Sequence, residues 1–156
     1  MKYVTVLSVI CLLSGCASGQ LDLYGSNGEK IGECTAGYEW HPIGVEHSVN
    51  WLLNYCYEAA LANGDKVERV SDADIIKIDY SYPAHPSGAP WNKNLAWSAY
   101  WSNVINEQEY GYIVADLENI YYLSVVRAET QLSEGAITLS QIDALVSEAK
   151  FAFYGK

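Results

Sequence analysis

An apolar run from Tyr3 to Leu13, started by Lys2 and closed by Leu13-Ser14-Gly15-Cys16, decides which part of this chain has to fold. The run is far shorter than the roughly 20 residues of a membrane-spanning helix. A positive start, a short apolar stretch and small residues before a cysteine form the pattern of a cleaved signal. The expected boundaries are a signal at 1–15, a polar tether at 16–20 and one globular domain at 21–156. Cleavage before Cys16 shortens the 156-residue chain to 141 residues, enough for one domain with a sizeable core and too few for two independent ones.

The tetrad ending at Cys16 resembles the lipobox of bacterial lipoprotein signal peptides. That resemblance implies a diacylglyceryl thioether on the Cys16 sulfur and an acylated amino terminus, so Cys16 is the expected lipid attachment site. Each buried acyl methylene contributes on the order of 0.8 kcal/mol, and two or three chains anchor stably where one holds only marginally. The expected partner is therefore a membrane, reached through the lipid, and the expected location is the cell envelope. Ala17 and Ser18 follow the cysteine with no Asp in the second position. In a host with two membranes the resemblance then implies the outer membrane, facing the periplasm.

Charge excludes one class of partner. Nine basic residues stand against nineteen acidic ones, and loss of Lys2 with the signal leaves eight against nineteen, a formal charge of −11. Such a surface repels phosphate backbones, so nucleic acid is not an expected partner. Thirteen Tyr, five Trp and two Phe in the same chain argue against a disordered acidic tail and for a packed domain.

With Cys11 in the signal and Cys16 acylated, as the resemblance implies, Cys34 and Cys56 remain as a pair. Outside the cytoplasmic membrane two such thiols are expected to oxidise together. A loop of about 23 residues closed this way stabilises a fold by roughly 3 kcal/mol on the chain-entropy argument. The spacing is not CxxC, and no neighbouring ligand completes a metal set.

Along the mature chain, Leu21 to Tyr24 and Lys30 to Cys34 flank Gly25-Ser26-Asn27-Gly28, which predicts a β-hairpin whose second strand extends through Thr35 to Trp40. Val49, Leu52, Leu53, Cys56 and Ala60 recur at helical spacing, with Ser48 as the expected N-cap and Asn63-Gly64 as the end. Ile76, Ile78, Tyr80 and Tyr82 alternate with Lys77, Asp79 and Ser81, which predicts a strand. Pro83, Pro86 and Pro90 mark a loop, and Leu95 to Ser102 reads as a short aromatic helix.

A 32-residue echo relates Ile105-Asn106 with Glu109 to Ile137-Thr138 with Gln141, each a capping box at the start of a helix. Tyr110, Ile113, Val114, Leu117, Ile120, Tyr121, Ser124 and Val125 trace one apolar face, and Ile142, Leu145, Val146, Ala149 and Phe153 trace another, with Gly135 at the turn. These helices are expected to pack antiparallel. The fold class expected is α+β: a small antiparallel sheet with a disulfide-pinned helix, sheet-rich over 21–82, a loop over 83–94, and helical over 95–154 with a C-terminal helical hairpin. Leu132 to Leu145, with Gly135, Ile137 and Thr138, resembles the short SHOCT-type hairpins at bacterial protein C-termini, although Gln141 and Ile142 replace the acidic and aromatic residues usual there. That resemblance implies docking or oligomerisation and no catalysis.

No contiguous motif identifies a reaction. His41, Glu46, His47 and His85 lack helical HExxH spacing, and Gly25-Ser26-Asn27-Gly28 lacks the lysine of a phosphate loop. Glu33, Glu39 and Asp79 form a carboxylate set that any acidic protein offers. No GxSxG is present, and no catalytic residue, metal ligand or cofactor is assigned. The best interaction candidate is Trp91, Trp97, Tyr100 and Trp101 with His85, a surface for a protein or glycan partner. The reading that follows is a non-enzymatic, membrane-anchored envelope lipoprotein acting as an interaction or accessory component. A cell-wall glycan binder or an inhibitor of a cell-wall hydrolase is the alternative, and a hydrolase with a noncontiguous site is the third.

Overall fold

The computed structural model describes residues 17–38 and 43–156. Cys16, Glu39, Trp40 and His41 lie outside the described residues. The first element is a hairpin of β1 (Ala17–Tyr24) and β2 (Lys30–Tyr38), paired antiparallel from Ala17 opposite Tyr38 to Leu23 opposite Gly32. Its turn closes with the Gly28 amide on the Gly25 carbonyl at 3.0 Å. Ala17 to Gln20, expected as a tether, are instead the first half of β1. Their small and polar side chains do not prevent pairing, because the ladder uses backbone groups, and Gly19 lets the strand approach Val49 and Leu53 closely.

Helix α1 (Val45–Ala62) lies against this hairpin. Leu21, Leu23, Cys34, Val49 and Leu53 are buried between them with Val70 and Tyr38. Each fully buried Leu contributes on the order of 1.5–3 kcal/mol relative to exposure. The Cys34–Cys56 disulfide is formed and staples α1 to β2. The helix ends as expected: Gly64 is left-handed, its amide bonds Leu61, and the Asp65 amide bonds Ala60. Its start differs. Gly44, not Ser48, is the N-cap, and Ser48 is a buried helical residue whose hydroxyl donates to the Gly111 carbonyl at 2.8 Å.

The third strand is β3 (Arg69–Val70), two residues paired antiparallel with Leu23 and Tyr24, giving the sheet order β2-β1-β3. The strand expected at Ile76–Tyr82 does not form. Ile75–Lys77 make a single 3-10 turn, and the chain beyond is extended without a ladder partner. Tyr80 and Tyr82 do turn inward while Asp79 and Ser81 face solvent, but Ile78 is exposed, so the alternation holds only over its tyrosine half. It belongs to a strap laid over a helix, held by the Tyr80 hydroxyl on the Ile75 carbonyl, by Tyr80 packed on Tyr112, and by the Tyr82 hydroxyl donating to Asp116.

Helix α2 (Lys93–Trp101) follows the proline-rich loop, and the helical hairpin of α3 (Glu107–Ser133) and α4 (Leu139–Tyr154) completes the fold. Both capping boxes are present: Asn106 with Glu109, and Thr138 with Gln141. Gly135 takes a left-handed φ of 71° at the turn. A second core of Ala96, Ala99, Ile105, Tyr110, Ile113 and Val114 joins α2 to the N-terminal half of α3. The expected α3–α4 stripes meet only in part: Tyr121 stacks on Phe153 and Ala128 is buried, but Ile120 and Leu145 are exposed.

Candidate functional site

The structure divides the expected aromatic surface into two places. On α2, Ala96 and Ala99 face α3, and this turns Trp97 and Trp101 toward the edge of the helix. Trp97 meets the buried Tyr110 ring edge-on at 6.2 Å, Tyr100 meets it at 5.3 Å, and Trp101 packs on both Trp97 and Tyr100 at 5.5 Å. Trp97 is 43% exposed and Trp101 60%. A Schellman motif ends α2: Asn103 adopts φ 55°, its amide bonds Tyr100, and the Val104 amide bonds Ala99. Val104, just past the helix end, is 51% exposed.

Trp91 and His85 lie elsewhere, in the proline-rich loop. The Trp91 indole N–H donates to the Pro83 carbonyl at 2.8 Å, and the His85 ring stands edge-on to it at 4.7 Å. Trp91 forms one wall of an open groove of about 560 Å³ between the loop, α3 and α4. Leu117, Ile120 and Tyr121 supply the α3 wall, and Phe151 and Phe153 the α4 wall; Glu148 is the one charged lining residue. The groove continues along the hairpin past Ser124 and Ala149 into a shallower depression of about 390 Å³ that adds Arg127 and Leu145.

Two contacts set the width of this groove. Gly155, left-handed at φ 80°, ends α4 so close to the N-cap Asn92 that a Cβ there would lie 2.6 Å from the Asn92 Cγ. The Asn92 side chain itself accepts from the Leu95 amide, so α2 and α4 begin and end on the same residue. Lys93 then bridges the layers, 3.4 Å from Glu118 and 5.2 Å from the centre of the Phe153 ring. Burial raises Tyr38, and the Glu118 carboxylate that accepts its hydroxyl adds to the shift. Burial, with the same carboxylate nearby, pushes Tyr110 up to about 12.

Catalytic geometry is sparse among the described residues. His85 Nδ1 lies 2.7 Å from the Ser87 hydroxyl and also accepts from the Ser87 amide, a contact within one turn that no carboxylate orients. Glu33 pairs with Lys30, while the Asp79 carboxylate accepts from the Ser81 amide, which holds its pKa below the ordinary range. His47 sits beside Tyr112, far from His85 in the chain and against a different helix face. No three His, Cys, Asp or Glu side chains gather as a metal-binding group among the described residues.

The groove was not read from the sequence. Leu117, Ile120, Tyr121 and Phe153 were assigned to helix packing, and Phe151 fell off the stripe. A signal did exist: Phe151 and Phe153 two apart on a helix cannot both face one neighbour. No known protein family matches the chain, and neither a curated protein nor a solved structure does. No helix of the described residues is long and apolar enough to cross a membrane.

Proposed function

We propose that this chain is a lipid-anchored envelope protein that acts by holding a partner, with the groove between α2, α3 and α4 as the seat. The observation that carries the reading is the groove itself: an open apolar cleft walled by Trp91, Ile120, Tyr121 and Phe151, with a single carboxylate on its lining. Pockets of roughly 300–1,000 Å³ with mostly apolar walls are the usual seats of small ligands and anchoring side chains. Its extension along the hairpin suits a helical or extended apolar segment of a partner protein better than a compact metabolite. The lipobox-like Leu13-Ser14-Gly15-Cys16 supports the envelope location.

The test is crosslinking from inside the groove. A photoreactive residue at Phe151 in a chain that retains Cys16 is expected to capture one stoichiometric envelope protein, and Ala149→Phe is expected to abolish that capture. Capture unaffected by filling the groove would defeat the proposal. The glycan alternative draws on Trp91 and its aromatic neighbours; Trp91 lies in the groove wall, and the planes of Trp97 and Trp101 are 70° apart, so the set presents no continuous flat face for stacking a sugar chain.

A further inference from the structure

Acidic residues are spread through the chain except over 80–106, a stretch of 27 residues with no Asp or Glu and one Lys, while the remaining mature chain carries all nineteen acids. This stretch forms the strap, the proline-rich loop and α2. Its most exposed large apolar side chains are Trp97 and Trp101, in contact at the C-terminal end of α2, and Val104 just beyond it. The stretch is therefore aromatic and free of acids in an otherwise strongly negative chain, and Glu107 and Glu109 follow it at the start of α3. Trp is the residue type enriched where protein meets the headgroup layer of a bilayer, because its ring is apolar and its N–H is polar.

The position of the chain start connects this patch to a membrane. Ala17, the residue after Cys16, is the cross-strand partner of Tyr38. Tyr38 hydrogen-bonds Glu118, and Glu118 lies close enough to Tyr110 to act on its hydroxyl. Tyr110 is the ring against which Trp97 packs. Ala17, the first described residue, and the exposed indoles are thus linked through Tyr38, Glu118 and Tyr110.

We propose that Trp97 and Trp101, with Val104 after them, form a second, non-covalent contact with the bilayer interface, so that the anchored protein sits with the C-terminal end of α2 on the lipid headgroups. The inference rests on the lipid-anchor reading of Cys16. A bilayer bearing anionic lipid repels the acidic remainder, and the stretch that carries these indoles adds no negative charge of its own to oppose the approach. The contact orients the α3–α4 hairpin and its groove relative to the membrane, which a single point of attachment does not do.

The experiment uses the acylated mature chain in phosphatidylcholine vesicles that contain brominated lipid, and in parallel the unacylated Cys16→Ser chain with the same vesicles. Bromine quenching of tryptophan is expected in the anchored protein and is expected to fall in Trp101→Phe, with the helical circular dichroism unchanged. The unacylated chain is expected to partition weakly, and Trp101→Ser with Val104→Asp to weaken that partition by roughly tenfold. Quenching that ignores Trp101→Phe overturns the inference. So does a saturating Trp101 response to peptidoglycan fragments without vesicles, which assigns the patch to sugar. A mass showing Cys16 unmodified sinks the anchor reading instead, and the partition of the Cys16→Ser chain still answers for the aromatic face.

Discussion

A Cβ atom on Gly111 would lie 2.6 Å from the Gly44 carbonyl oxygen, so α1 and α3 cross with no side chain between their backbones. The Gly44 amide donates to the Glu107 carboxylate at 3.1 Å, and Ser48 returns a hydrogen bond to the Gly111 carbonyl. This crossing couples the disulfide-pinned sheet layer to the helical layer. The obstruction is backbone, which cannot rotate aside. Gly111→Ala is therefore expected to cost about 2 kcal/mol or more, beyond any gain in helix propensity, and Ser48→Ala about 1 kcal/mol. Denaturant unfolding measures both, and a Gly111→Ala protein as stable as the parent would show that the layers are not locked here.

The Cys34–Cys56 bridge closes a loop with a sequence separation of 22 residues. Replacing both cysteines with Ala is expected to lower stability by roughly 3 kcal/mol through the freed unfolded chain. Intact mass before and after alkylation without reductant reads the bond directly. Two alkylated thiols in the native protein would refute it.

Much of this frame was legible because it is specified locally. Asn106 with Glu109 and Thr138 with Gln141 name their own helix starts, and Gly64 and Gly135 their helix ends. What failed was decided at a distance. Ser48 has the side chain of an N-cap, but the tight approach of Gly44 to Gly111 starts α1 one turn earlier and gives the hydroxyl to another helix. Tyr80 and Tyr82 alternate as strand residues do, yet their hydroxyls bond Ile75 and Asp116, and the edge of the sheet is taken by Arg69 and Val70. Of the candidate surface, Trp91 reached the groove and Trp97, Tyr100 and Trp101 did not, because Ala96 and Ala99 and not the rings face α3.

The tyrosines set the alkaline limit of the fold. Burial raises Tyr38, Tyr80, Tyr82, Tyr110 and Tyr112 above the ordinary value of 10.0, with Tyr110 near 12. A tyrosine whose folded pKa is raised keeps its proton in the native state after the unfolded chain has lost it, so the unfolded state binds fewer protons. Stability is then unaffected below pH 10 and falls as pH rises from 10 toward 12. Tyrosinate absorbance is expected to show one fraction titrating normally and a second appearing with loss of circular dichroism. A single titration of all tyrosines near pH 10 with the fold intact would contradict this.

Filling the groove separates its structural from its binding role. Ser124 is half-buried, lines both depressions, and its hydroxyl donates only to the Ile120 carbonyl of its own helix at 2.8 Å. A larger side chain there enters space the hairpin does not use, so Ser124→Phe is expected to change stability by less than about 0.5 kcal/mol, unlike insertion into a packed core. Gly155→Val does the opposite. Its Cβ collides with Asn92, the left-handed C-cap becomes strained, and Phe153 is pulled from Tyr121, at an expected cost of about 1–2 kcal/mol. Ser124→Phe is expected to lose partner crosslinking at Phe151 while unfolding like the parent. Retained crosslinking in that stable variant would mean the partner sits on the outer face of α4 and not between the helices.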